Sequence, residues 1–259
     1  MMEKEKSRLT NLGKDLFKID SFGSNIYLIN ENGNPTLIDA GFQVDLPHIW
    51  QGLKEADIRL SDLDLIVATH YHVDHVGPVP FIKRLYKVCT AIHEKDKAYA
   101  IGEEPYERFE VPLSRLIFYS FLWPIFRYRS FGIDLTLKEG DILDLLGGLE
   151  VFHTPGHTIG SICLYSTERK ILFSGDLVRN ENGTIEGPPI QFTPDPDAAA
   201  DSLRKIAKLD FETLLPGHGD VVLEGAGDLL RSLIAEGKIW PLSGEEPILE
   251  TIEEQTEAQ

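Results

Sequence analysis

Residues 70–75 read His-Tyr-His-Val-Asp-His, which puts four metal-capable side chains into six consecutive positions. His70 and His72 are two apart and can converge on one ion. Asp74 and His75 come after a turn and can reach a second. Imidazole and carboxylate together suit zinc, iron, manganese or cobalt. The cluster directly follows the apolar run Leu65-Ile66-Val67-Ala68. That run reads as a buried strand, so the donors sit where a strand ends. Core packing has no use for three histidines and an aspartate in this pattern.

Three more motifs add donors at the ends of strand-like runs. Thr154-Pro155-Gly156-His157-Thr158 follows the run Glu150 to His153, and Phe173-Ser174-Gly175-Asp176 ends another. Leu215-Pro216-Gly217-His218-Gly219 ends a third. In each, a glycine precedes the donor and lets the backbone turn tightly so that the side chain swings inward. The total is five His and two Asp. That is enough for two ions with a coordination position left for water. A structural zinc site is closed by four ligands and usually uses Cys; this set has no Cys and too many donors for a single ion.

The elements that must position these donors follow from local pattern. Strands are expected at Ile26 to Ile29 and, after an Asn-Gly-Asn-Pro turn signal, at Thr36 to Ile38. A helix over Leu46 to Ala56 precedes the strand Leu65 to Thr69. A second helix over Val79 to Tyr86 begins with Pro80 in its first turn. The strand Val88 to Ile92 and a helical stretch from about Glu94 follow. Gly102 to Gly132 is aromatic and reads as an insertion between two halves. The second half is expected to start at Leu135 to Leu137 and to continue through Glu150 to His153, Ser161 to Tyr165 and Ile171 to Phe173. Helix Asp197 to Leu209, strand Thr213 to Leu215 and helix Gly225 to Glu236 complete it. Two strand groups with helices between and after them imply a layered α/β or α+β sandwich. The expected organisation is a single domain over residues 1–244 and an acidic tail over 245–259.

Composition narrows the function class. The chain has 259 residues, is 42% hydrophobic and carries a net charge of −17. A nucleic-acid footprint needs a basic face, and anionic lipid repels an acidic surface. A small-molecule substrate that is neutral or modestly charged fits better, and a homo-oligomer is compatible with the composition. Cys89 and Cys163 lie in apolar strand-like runs and read as buried thiols. Met1 to Arg8 is charged with no apolar stretch of the signal-peptide kind, so cytoplasmic residence is the default expectation. Leu113 to Phe131 is strongly apolar, but Arg115, Arg127 and Arg129 bracket it and Pro124 interrupts it. The uninterrupted core falls short of the roughly 20 residues a spanning helix needs. It reads as a lid or wall that makes the substrate pocket apolar, as a packed helical pair, or as an oligomer contact.

Taken together, the motifs resemble the metallo-β-lactamase superfamily. The matching pieces are Leu37-Ile38-Asp39-Ala40-Gly41, Thr69 to Gly77, Thr154 to Gly160, Ser174-Gly175-Asp176 and Pro216-Gly217-His218-Gly219, in the family's order. The resemblance implies a four-layer αββα sandwich with the site at one edge of two sheets. It implies that His70, His72 and His157 hold one metal, that Asp74, His75 and His218 hold the other, and that Asp176 bridges them. Asp39 would orient ligands through hydrogen bonds. The implied cofactor is a pair of divalent ions, zinc in the first place, with iron or manganese as alternatives. The implied activity is hydrolysis of an ester, thioester or lactone by a hydroxide bridging the two ions. Asp74, pinned beside that nucleophile, is the candidate proton shuttle, against plain ligation.

Within the family the substrate is less defined. Asp176 and His218 stand where one lactamase group has a Cys ligand, and the lactamases that use only His and Asp generally lack the bridging Asp. Glyoxalase II shares the ligand set, but Pro78 replaces its usual second Gly and no basic C-terminal run is present. Acyl-homoserine lactonases carry a Tyr shortly after the bridging Asp, where Leu177-Val178-Arg179 stands here. The net charge opposes a tRNA-processing nuclease, and a flavodiiron oxidoreductase would have Glu at His72. The alternatives are a persulfide dioxygenase with one iron and a metal-binding module without catalysis.

Other residues carry weaker expectations. His153 reads as a satisfied strand-end residue and His48 and His93 as surface or helix-end residues. Arg179 reads as a salt-bridge partner, with a substrate carboxylate as the alternative. Trp50, Trp123 and Trp240 read as core, and Gly147-Gly148 and Gly225-Ala226-Gly227 as turns.

Overall fold

The computed structural model describes residues 7–106 and 129–239. Strands β1 (Leu9–Gly13), β2 (Leu16–Ile19), β3 (Ile26–Glu31) and β4 (Asn34–Ile38) form an antiparallel meander. Helix α1 (Leu46–Glu55) then crosses to β5 (Leu65–Val67), which pairs parallel with β4. The one-turn helix α2 (Val73–Val76) and helix α3 (Val79–Leu85) lead to β6 (Cys89–His93), parallel to β5. Helix α4 (Lys97–Ile101) follows, and β7 (Leu135–Leu137) closes this seven-stranded sheet beside β6.

The second sheet has five strands. These are β8 (Ile142–Leu143), β9 (Leu149–His153), β10 (Ile162–Ser166), β11 (Ile171–Gly175) and, after the hairpin β12 (Arg179–Glu181) and β13 (Thr184–Glu186), β14 (Thr213–Pro216). Strand order is β14-β11-β10-β9-β8, with β14 parallel to β11 and the rest antiparallel. Helices α5 (Pro196–Ile206) and α6 (Ala226–Ala235) complete it.

Side-chain alternation explains why the sheets stack. Ile26 and Leu28 of β3 face Ile49 and Leu53 of α1 and Ile82 of α3, in one core. Tyr27 and Ile29, pointing the other way as a period of two requires, meet Val151, Leu164 and Phe173 of the second sheet. Cys163, Tyr165 and Leu172 on the far side of that sheet pack on Leu203 and Ile206 of α5 and Leu230 of α6. Three cores between four layers make the expected αββα sandwich. The central strands of both sheets, such as β3, β10 and β11, are buried on both faces, so they read as nearly continuous apolar runs.

Several expectations are corrected. Leu135–Leu137 does not begin the second half; as β7 it finishes the first sheet. Cys89 is exposed, not buried, because it opens β6 at the sheet end away from the site, whereas Cys163 is buried as expected. Trp50 is exposed, on the side of α1 away from buried Ile49 and Leu53, with Lys54 Nζ 5.2 Å from its ring centre. His93 is buried, its ring stacked on His153 at 4.2 Å. No helix among the described residues is long and apolar enough to cross a membrane. Most of the expected lid, Trp123, Trp240 and the acidic tail lie outside the described residues.

Candidate metal centre

Every predicted donor lies just beyond a strand, at one edge of the sandwich. Beyond β5 come His70 and His72 in the loop and Asp74 and His75 on α2; the turn between β9 and β10 carries His157; Asp176 directly follows β11 and His218 lies two residues past β14. They fall into two groups, His70–His72–His157 and Asp74–His75–Asp176–His218, and within each the donor atoms lie within 4.8 Å of one another.

Distances between donors test whether an ion fits. Donors held 2.0–2.1 Å from one tetrahedral ion stand about 3.3 Å apart. His72 Nδ1 and His157 Nε2 are 2.9 Å apart. His75 Nε2 is 3.1 Å from Asp176 Oδ1 and 3.7 Å from Asp74 Oδ2. His218 Nε2 is 3.3 Å from both Asp74 Oδ2 and Asp176 Oδ2. Asp176 Oδ2 also lies 3.3 Å from His157 Nε2 of the other group, so this one carboxylate faces both. Nε2 of His70 is buried with no hydrogen-bond partner among the described residues. The donor set and its spacing fit two ions.

Electrostatics divide the groups. Burial lowers His70 and His157, and brings His72 down to about 3, so this trio is neutral and ready to ligate. In the other group burial is outweighed by carboxylates. Asp176, Asp39 and Asp74 raise His75 well above its ordinary value, and Asp176 and Asp74 lift His218 to about 10. Conversely, burial would raise Asp74, but His75 and His218 hold it at about 2; the same two histidines keep Asp176 far below the carboxylate range. Without an ion, protons on two imidazoles neutralise this carboxylate pair.

The support around the donors is largely buried. Asp39, held in a left-handed backbone conformation at φ 58°, accepts from Thr69 N and Thr69 Oγ1 at 2.8 Å each. His75 Nδ1 lies 2.8 Å from Asp39 Oδ2, which leaves Nε2 facing the site. Thr69 Oγ1 is in turn 3.1 Å from His70 Nδ1. Ser24 Oγ donates to the carbonyl of Asp74. Asn25 Nδ2 donates to Pro216 O and Gly219 O at 2.9 Å each, and Tyr27 Oη to Pro216 O at 2.7 Å. These residues of the first sheet grip the loop of His218, and no local pattern marks them. At Gly217, close approach is what excludes a side chain: a Cβ there would overlap Asp176 Oδ1.

The remaining histidines stay outside. His153 Nε2 lies 2.9 Å from Ile159 O, as a satisfied strand-end residue should. His48 lies 3.3 Å from Asp45 and stacks on Phe22. Arg179 meets Glu181 at 3.4 Å and Glu186 at 3.8 Å, in keeping with the salt-bridge expectation.

Comparison with known proteins identifies the family and the fold. The sequence pattern of the metallo-beta-lactamase superfamily matches residues 19–218. The chain is 32% identical over 213 residues to the probable metallo-hydrolase YflN of Bacillus subtilis (strain 168), covering 76% of this chain and 80% of that protein. It is 35% identical over 211 residues to the acyl-coenzyme A thioesterase MBLAC2 of Bos taurus, covering 75% and 72%. A metallo-beta-lactamase family protein from Thermus thermophilus has the same fold, with a TM-score of 0.62 at 23% identity over 83% of this chain and 74% of that one. The chain belongs to the metallo-beta-lactamase superfamily.

Proposed function

We propose that the protein is a dinuclear metal-dependent hydrolase of an ester, thioester or lactone, with zinc as the ion and a thioester favoured by the likeness to an acyl-coenzyme A thioesterase. One observation carries the reading: two donor groups converge side by side and share the carboxylate of Asp176. A mononuclear iron oxygenase site needs only three donors, ordinarily two histidines and one carboxylate, and the four further donors gathered here speak for two ions. A closed binding module would bury every donor, whereas Asp74 and His218 keep 22% and 21% of their side-chain surface exposed.

Divalent ions bound here would polarise the scissile carbonyl and make water acidic enough to supply hydroxide near neutral pH. The chain's own residues do the rest. Neutral His70, His72 and His157 would hold an ion without first losing a proton. Asp39 holds the proton of His75 on Nδ1 and so keeps Nε2 free. Asp74, open to solvent on one side, would accept the proton that the attacking water gives up and pass it outward. A small-molecule substrate and no nucleic-acid or membrane partner accord with a net charge of −17, and cytoplasmic residence is part of the same proposal.

The test is turnover of an ester, thioester and lactone panel by metal-replete protein, beside His72→Ala. Turnover of at least one class, lost in the variant together with metal, is the expected result. No turnover sensitive to His72→Ala would sink the proposal. One iron per chain with oxygen consumption would replace it with the dioxygenase reading.

A further inference from the structure

Asp96 lies between β6 and α4, is fully buried, and belongs to none of the motifs read from the sequence. Its Oδ2 accepts from the backbone N–H of Tyr71 at 3.3 Å, the residue between His70 and His72. The same oxygen accepts from Thr158 Oγ1 at 2.7 Å, beside His157. Its Oδ1 accepts from Gly160 N at 2.6 Å. Gly160 is obligatory for this approach, since a Cβ there would stand 2.5 Å from Asp96 Oδ1. Thr158 is held from its other side by Ser161, whose Oγ is 2.8 Å from Thr158 Oγ1 and accepts from Thr158 N at 3.0 Å.

One carboxylate thus ties together two loops that are remote in sequence and belong to different sheets. These loops carry all three histidines of the first group; of the second group only Asp74 and His75 lie nearby, beyond the start of α2. We propose that Asp96 is the positioning residue of the first ion, setting the span from His70 and His72 to His157; the inference rests on the reading that this trio binds metal. An acceptor is needed on both faces. The amide of asparagine has only one acceptor oxygen, so its nitrogen must confront either Gly160 N or Tyr71 N, both of them donors.

The experiment is a titration of metal-free Asp96→Asn with zinc against a chromophoric chelator, and with cobalt followed by its visible absorption. Wild type is expected to take two equivalents. In Asp96→Asn the first group should lose about 10- to 100-fold in affinity, as ligand-orienting partners do, while the second group changes by less than a few-fold. Thr158→Val, which removes the bond from Thr158 Oγ1 at nearly constant shape, should weaken the same ion to a smaller degree, and Thr158→Ser should restore it. This series keeps the test alive if Asp96→Asn does not fold. Two equivalents at wild-type affinity and unaltered cobalt bands in the variants, even with a lowered melting temperature, would overturn the inference and reduce Asp96 to a structural role. Wild type that takes up no metal would instead overturn the metal-site reading itself.

Discussion

Replacing Asp39 by asparagine preserves shape and removes one acceptor where three donors converge. Thr69 N, Thr69 Oγ1 and His75 Nδ1 all stand 2.8 Å from its two oxygens. With the amide oxygen on Thr69 N, the new NH2 faces the threonine hydroxyl and His75 Nδ1. The hydroxyl can rotate to accept, but then it donates towards His70 Nδ1, 3.1 Å away. His75 Nδ1 must also become an acceptor, which moves its proton to Nε2, the nitrogen 3.1 Å from Asp176 Oδ1. A protonated Nε2 cannot ligate. Loss of an orienting partner of this kind costs 10- to 100-fold in metal affinity, about 1.4–2.7 kcal/mol. The lost charge-assisted bonds cost a further ~1.5–3 kcal/mol of fold stability, tolerable against the ~5–15 kcal/mol of an ordinary domain. Chelator-competition titration of Asp39→Asn should therefore show a folded protein with a weakened second ion and a smaller loss at the first. Two ions bound at wild-type affinity would refute the reasoning, because the tautomer of His75 would then not depend on Asp39.

Gly217→Ala places a methyl group against Asp176 Oδ1 and the Gly175 carbonyl. The shared carboxylate must move, and metal analysis should find at least one ion weakened about 10-fold or more. Uptake of metal at the second group should also depend on pH. Burial pulls His218 down, but Asp176 and Asp74 outweigh it and hold its proton up to about 10, so an ion must displace that proton. Affinity there should rise about tenfold per pH unit between pH 6 and 8 for each proton displaced. The first group, with His72 neutral above about 3, should stay nearly flat; parallel slopes in calorimetric titrations would contradict this. Thiol titration should count one reactive cysteine in the native protein and two in denaturant. Cys89 is exposed, and burial pushes the Cys163 thiol up to about 12.

All seven candidate donors are readable in the sequence because each sits in a short local motif that follows a strand-like run. The residues that aim them are mostly hidden. Asp39 stands inside a recognisable motif, but Asp96, Asn25 and Tyr27 act across sheets, and nothing near them in sequence distinguishes them from ordinary turn and strand residues. Long apolar runs such as Ile26 to Ile29 are legible as strands because burial on both faces fills every position. The strands Leu9–Gly13 and Leu16–Ile19 escape, since the first is largely exposed and both carry polar residues. Sequence order puts the three-residue β7 with the wrong sheet because a run that short fixes no partner. Trp50 shows the reverse error: residue type suggests core, and helix phase turns it outward.

The donors are divided between leaves of the sandwich. Four come from the first sheet and three from the second, from residue 70 to residue 218. No fragment ending before β14 can hold the full complement, so the centre is complete only when both leaves have docked. Contacts this far apart in the chain carry a loop-closure cost that slows folding. Metal capture would then act as a closing latch on a finished sandwich. Ions that bind the native state and not the unfolded chain stabilise it by mass action, so stripping them should loosen the seam between the leaves before it loosens either leaf.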